Sequence, residues 1–196
     1  MREDVIITTI CLIRHGETDW NASQKLQGAT DIPLNTTGIL QAEECAAFLE
    51  SSQWDVIITS PLTRAKQTAE IINEKLNIPF AEMAAFKEKS FGDAEGTTPQ
   101  ERLERFPDKI FPNQEDEQSF KERIMTGIHE INQTYQGSMV LLVAHGAVIN
   151  SILGTISNGE IGAGKTKLVN ACISNIYFQE EKWNVRDFNQ ASHLSG

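Results

Sequence analysis

Three segments of the chain end an apolar run on groups able to hold or transfer an anion: CLIRHG (11–16), DVIITSPLTR (55–64) and VLLVAHG (140–146). They deliver Arg14, His15, Arg64 and His145. An arginine fork fits two phosphate oxygens at once. A neutral imidazole offers a nucleophilic nitrogen near neutral pH. Brought together, two of each make a site for a phosphate. The alternative is a set of separate salt bridges and capped turns, which would suffice for a lone RHG. The second strand ending in His-Gly weighs against it, because a buried basic residue is costly without a partner.

The elements around these segments determine whether they can meet. VIITTICLI (5–13), WDVIITS (54–60) and SMVLLVAHG (138–146) read as strands. TTGILQAEECAAFLE (36–50) reads as a helix. Another spans 60–76, with Ser60 as N-cap, Pro61 as its first residue and Ala65, Ala69, Ile72 and Leu76 on one face. TPQERLERF (98–106) is a short helix stopped by Pro107. SFKERIMTGIHEINQTY (119–135) carries an apolar stripe from Phe120 to Tyr135, with Ser119 and Glu122 as a capping box. AVINSILGTI (147–156) is helical, and 171–189 alternates like a β-hairpin turning at Glu180 to Lys182. The pattern predicts an α/β fold: a three-layer sandwich with a mostly parallel central sheet flanked by helices. The carboxyl ends of parallel strands share one edge, where such folds bind ligands. Gly16 and Gly146 are expected to turn the chain sharply there and let backbone approach a ligand. Arg64 falls in the first turn of its helix, an end that favours anions. His129 and His193 are expected to face solvent without a role.

With 196 residues, 40% of them hydrophobic, the chain suits one domain over 1–196, with a disordered tail from about 190. The net charge of −10 argues against nucleic acid or an acidic membrane as partner, so any anion site must be local. No apolar run approaches the roughly 20 residues of a membrane span. Glu3 and Asp4 stand where a signal peptide would be basic, which points to the cytoplasm. Cys11, Cys45 and Cys172 read as buried reduced thiols. Nothing in the sequence bears on oligomeric state.

LIRHGETDWN (12–21) resembles the signature of the histidine phosphatase superfamily, the phosphoglycerate mutase-like proteins. The resemblance runs over almost the whole chain. GATDIPLNTTGILQAE (28–43) looks like the segment after the signature, ITSPLTRAKQTAEII (58–72) is similar to the second-arginine segment, FKEKSFGDAEG (86–96) to the acidic segment, and VLLVAHGAVI (140–149) to the second-histidine segment. The resemblance implies that His15 is a nucleophile forming a phosphohistidine. It gives Arg14, Arg64 and His145 the phosphoryl oxygens, and Glu88 the proton donation. Asn21, Gln27, Gly28 and Gly146 would line the substrate site. It implies no metal and no cofactor, since arginines serve phosphoryl transfer. Glu82 and Glu95 lie close to Glu88 and compete for its role. The family commonly has an aromatic residue where this chain has Ala94, a departure that bears on the pocket wall.

The expected activity is hydrolysis of small phosphorylated metabolites. A phosphoglycerate mutase is the first alternative, although the stretch from Glu88 to His145 is short for one that uses a bisphosphate cofactor. A non-catalytic phospho-ligand-binding relative is the second. GEIGAGKT (159–166) also satisfies a nucleotide-binding pattern, but that motif works between a strand and the following helix. Here a helix precedes it and a strand follows. It reads as a glycine-rich loop from which Lys165 could brush an anionic substrate. The sequence leaves open which phosphate is used.

Overall fold

A computed structural model describes residues 7–195. Residues 1–6, with Glu3, Asp4 and the first two positions of the predicted opening strand, lie outside the described residues. In chain order the elements are β1 (Thr8–Arg14), α1 (Asp19–Ala22), α2 (Thr36–Leu49), β2 (Val56–Thr59), α3 (Thr63–Leu76), β3 (Phe80–Glu82), α4 (Pro99–Arg105), α5 (Glu117–Thr134), β4 (Met139–Ala144), α6 (Gly146–Ile156), β5 (Ile173–Gln179) and β6 (Lys182–Gln190). Among the described residues the sheet has six strands in the order β3-β2-β4-β1-β5-β6. β3, β2, β4 and β1 run parallel, and β5 and β6 pair antiparallel at the other side.

Side chains alternate across the strands, and each face buries a different helix pair. Ile10, Leu12, Ile58, Val140 and Leu142 pack with Ile124 and Ile128 of α5 and Val148 and Ile152 of α6. Cys11, Ile13, Ile57, Leu141 and Val143 pack with Cys45 and Leu49 of α2 and Ala65, Ala69 and Ile72 of α3. This is the predicted three-layer α/β arrangement. All three cysteines are buried and free. No helix among the described residues is long and apolar enough to cross a membrane.

Four local expectations are corrected. Helix α3 begins at Thr63, so Ser60 and Pro61 stand outside it. Its opening amide is capped from a distance: Thr63 N–H and Oγ1 donate to the Asp31 carboxylate, each at 2.8 Å. Helix α5 starts earlier than Ser119, because Asp116 takes the cap by accepting from Ser119 N–H at 2.9 Å. The tail is not frayed through Ser195: β6 extends to Gln190, and Leu194 N–H bonds Ala191 O. His193 is half-buried, stacked on Phe48 with ring centroids 5.2 Å apart. His129 is exposed, as expected, and bonds Gln133.

Candidate active site

The carboxyl ends of β1, β2 and β4 open into one crevice of about 910 Å³. Arg14, His15, Arg64, Glu88, Asn21 and Gln27 all line it, together with Gly28 and Gly146. His145 stands immediately behind, fully buried, with its ring 5.2 Å from that of His15.

His15 directly follows β1, with its ring buried. Nδ1 donates to the carbonyl of Gly16 at 2.7 Å, since that oxygen only accepts. This assignment fixes the tautomer and leaves Nε2 unprotonated. Burial is the main force holding His15 well below the ordinary histidine pKa, and the charges of Arg64 and Arg14 add to it. The ring is therefore neutral at physiological pH. The backbone carbonyl of His15 is held in turn by Asn170 Nδ2 at 3.1 Å and by Ala171 N–H at 3.2 Å.

The two guanidinium groups are fixed by backbone carbonyls. Arg64, 1% exposed, donates to Thr30 O at 2.8 Å and Gly28 O at 2.7 Å. Arg14 donates to Leu168 O. Each keeps a buried Nε without a partner, as do Nδ1 of His145 and Oε1 of Gln27. Unpaired buried polar atoms are rare and costly. These four lie around one crevice, where their free positions are open to a ligand.

His145 Nε2 lies 2.7 Å from Ser60 Oγ. Ser60, read from sequence as a helix cap, is instead the second histidine's partner. The sequence pattern Ser-Pro after a strand concealed this, because the true cap is Asp31, 32 positions away from Thr63. Burial also keeps His145 below its usual pKa, with Arg64, His15 and Arg14 contributing.

Of the three rival carboxylates, the crevice takes Glu88. Its Oε1 accepts Lys89 N–H at 2.9 Å and its Oε2 accepts Ala147 N–H, in the first turn of α6, at 3.1 Å. Burial raises its pKa, against the opposing pull of those amides and of Arg64 and Arg14. Glu82 is exposed and paired with Lys66 at 2.6 Å. Glu95 is a brace: it accepts from Ala29, Thr30 and Phe91 amides, each at 2.9 Å. It thereby holds the loop whose carbonyls grip Arg64. Gly28 is required in that loop, since φ is +56° and a Cβ would stand 2.2 Å from the Glu95 carboxylate.

Of the glycines beside the histidines, Gly16 serves a different end from the one expected, while Gly146 lines the crevice. A Cβ on Gly16 would meet Gly38 O at 2.3 Å, so Gly16 admits the start of α2 and not a ligand. A Cβ on Gly146 would find only the Arg14 guanidinium, with Nε at 3.6 Å and Cζ at 3.9 Å. Gly16→Ala is therefore expected to lose about 1–3 kcal/mol to overpacking, whereas Gly146→Ala should melt at or slightly above the wild-type temperature. Thermal unfolding of the pair checks this, and equal destabilisation would contradict it.

The outer wall carries Lys25, Arg102 and Lys167. Lys165 does not reach the crevice; it folds back on Gly159 O. The glycine-rich loop follows α6 and precedes β5, so the nucleotide motif lacks its strand-to-helix context. Ala94 is fully buried and is not among the crevice-lining residues; Leu26, Phe91 and Pro99 form that part of the wall.

A histidine phosphatase superfamily (branch 1) model matches residues 10–191. The chain is 54% identical to the uncharacterized phosphatase PhoE of Bacillus subtilis over 190 residues, 97% of this chain and 98% of that one. It is 32% identical to a metal-independent phosphoserine phosphatase of Arabidopsis thaliana, over 96% of this chain and 84% of that one. The fold matches Bacillus stearothermophilus YhfR with a TM-score of 0.88 at 26% identity, covering 95% of this chain and 98% of that one. It also matches a phosphoserine phosphatase of Entamoeba histolytica in complex with phosphoserine, with a TM-score of 0.83 at 29% identity, covering 95% and 99%. With Arg14, His15, Arg64, Glu88 and His145 all inside the matched span, the chain belongs to the histidine phosphatase superfamily, branch 1.

Proposed function

We propose that this chain is a metal-independent phosphatase that hydrolyses small phosphorylated metabolites through a phosphohistidine on His15. The observation that carries the reading is the pinned tautomer of His15. Its Nδ1 is spent on Gly16, and its Nε2 is bare in a crevice that holds the buried Arg64, the half-buried Arg14 and a buried carboxyl. In the first step the Nε2 lone pair attacks phosphorus, and the bond from phosphorus to the ester oxygen breaks. Glu88 gives its proton to that oxygen, which leaves as an alcohol. Arg14, Arg64 and His145 hold the nonbridging oxygens, whose charge is spread in the transition state. In the second step water attacks the phosphohistidine, Glu88 takes its proton, and the lone pair returns to Nε2 as phosphate departs.

Glu88 is well placed to change protonation. A bound phosphate brings negative charge beside it and draws off the arginines, and both effects favour the neutral acid that the first step needs. Asn21 adds a donor: its Oδ1 is engaged by Thr18 and Asn170, so its amide nitrogen is the group left for a ligand.

Phosphoserine and 3-phosphoglycerate, bound by relatives in their crystals, are the first substrates to try. Lys25, Arg102 and Lys167 make the mouth of the crevice cationic in a chain of net charge −10. The relative described as a phosphatase at 54% identity supports hydrolysis over mutase activity.

The arginines already supply the charge that a metal would bring. Among the described residues no group of three or more His, Cys, Asp or Glu is disposed to hold a metal. Phosphate release from a panel of phosphorylated metabolites should therefore be unchanged after exhaustive chelation. A strict need for magnesium or zinc would overturn the mechanism, and isomerisation of phosphoglycerate without phosphate release would establish the mutase instead.

A further inference from the structure

The wall segment 167–171 touches both ends of the reacting machinery. Leu168 O accepts from Arg14 Nη1, and His15 O accepts from Asn170 Nδ2 and from Ala171 N–H. The segment belongs to the loop between α6 and β5, and it contains Ala171 at φ +56°. A left-handed alanine persists only where its surroundings over-determine it.

The surroundings that do so come from the end of the chain. Asn189, the penultimate residue of β6, makes two bonds across Leu168: its Oδ1 accepts Val169 N–H at 3.0 Å, and its Nδ2 donates to Lys167 O at 3.2 Å. The flanking residues of the Arg14 acceptor are thus clamped by one amide. Its own amide is anchored on Ser174 Oγ at 3.0 Å. Four residues on, His193 Nε2 donates to Ala171 O at 3.0 Å, so the left-handed residue is held through both its N–H and its C=O. His193 is kept in place by its stack on Phe48 of α2, and Ser195 N–H reaches the Glu44 carboxylate at 3.3 Å. Ala191 and Leu194 of the same tail stand on the crevice wall.

We propose that Asn189 and His193 are positioning residues, and that the C-terminal segment 189–195 acts as a strap that aims Arg14 and the His15 backbone by holding the wall from behind. Neither side chain touches substrate. The inference rests on the phosphohistidine reading only for its kinetic readout. The clamp itself is a matter of which bonds hold the wall. An unclamped wall lets Arg14 and His15 drift, and a displacement of about 1 Å in a site of this kind costs up to 10²-fold in rate.

Four variants separate the clamp from mere folding. His193→Phe keeps a ring against Phe48 and removes the donor. His193→Gln keeps a donor near the Nε2 position and removes the ring. Asn189→Gly keeps a residue at ease with the left-handed φ of +53° and removes the amide. The fourth ends the chain after Gln190. Each is assayed for kcat and KM on p-nitrophenyl phosphate, for thermal stability, and for orthovanadate affinity by calorimetry. Orthovanadate mimics the five-coordinate transition state. The expected result is a roughly tenfold or larger fall in kcat for His193→Phe, Asn189→Gly and the truncated chain, with vanadate weakened in step. Inorganic phosphate, a ground-state ligand, should be weakened less. His193→Gln should restore most of the rate.

Folded variants with wild-type kcat and vanadate affinity would overturn the strap. So would losses that His193→Gln does not rescue, or that track only the unfolded fraction. If wild-type protein turned over no phosphomonoester, the phosphohistidine reading would fail, and the vanadate comparison would still decide the strap.

Discussion

His15→Ala is expected to remove turnover altogether, with a loss on the order of the 10⁶ seen when a covalent nucleophile is deleted from another enzyme. No other group in the crevice is able to take its place. His145, the one neighbouring imidazole, is fully buried with Nε2 committed to Ser60. The substitution removes a single bond, from Nδ1 to Gly16 O. The strand beneath is held by its ladder to β4 and β5, so the variant should fold. The decisive measurement is a rapid denaturing quench with radiolabelled substrate. Wild-type protein should carry an acid-labile, base-stable label, the signature of a phosphoramidate, and His15→Ala should carry none. Residual turnover within about tenfold of wild type, or a label that survives in the variant, would remove the covalent mechanism. The neutral state of His15 adds a condition. Its pKa lies well below the ordinary value, because burial and two arginines oppose the cation. Activity should therefore persist as pH falls through the usual histidine range and be lost only below it.

Much of this site was legible because its chemistry sits on strand ends. A buried parallel strand has no local reason to finish on Arg-His-Gly, so Arg14, His15 and His145 announced themselves. β4 and β1 then proved to be direct neighbours, with Arg14 opposite Ala144 in the register. Arg64 was legible as part of a helix opening, although that helix starts two residues after Pro61. The parts that escaped are held by partners distant in sequence. Ser60 looked like a cap because Asp31, which does the capping, lies in a different loop. Gly16 looked like a ligand-facing turn because its true constraint is the backbone of Gly38. The wall at 167–171 has no periodic pattern, and neither does the segment that clamps it. A terminal run such as ASHLSG has the composition of a frayed end, and only the folded sheet brings His193 to Ala171. Local composition reports what a segment does alone, and these residues acquire their roles from contacts made by the tertiary fold.

Glu88→Gln should show the division of labour between displacement and protonation. If Glu88 protonates the leaving oxygen, its loss matters in proportion to how poorly that oxygen leaves. General acid catalysis is worth about 10² to 10⁴ in rate. An alkyl ester such as phosphoserine, which departs as an aliphatic alcohol, should lose on that order. p-Nitrophenyl phosphate departs as a stabilised phenolate and should lose far less in the first step. The amide is close in shape, and either of its two ends can face Lys89 and Ala147, whose N–H groups now hold the carboxylate. The glutamine NH₂ cannot accept from one of them, so a small stability loss is expected alongside. The pH profile gives a second, independent reading. A general acid works only while protonated, so wild-type activity on the alkyl ester should fall as pH rises through the Glu88 pKa. Burial places that pKa above the ordinary carboxylate value, and the bound phosphate raises it further. Glu88→Gln should lose this alkaline limb, because nothing remains there to deprotonate. Equal losses on the two substrates in kcat/KM, which reports the first step and excludes the hydrolysis common to both, with the limb retained, would make Glu88 a structural anchor for the start of α6. Glu82 and Glu95 are poor substitutes in that event. One is exposed against Lys66, and the other spends its oxygens on the loop that holds Arg64. Glu95→Gln should therefore weaken both substrates alike, through the displaced arginine, and that contrast separates a proton donor from a brace.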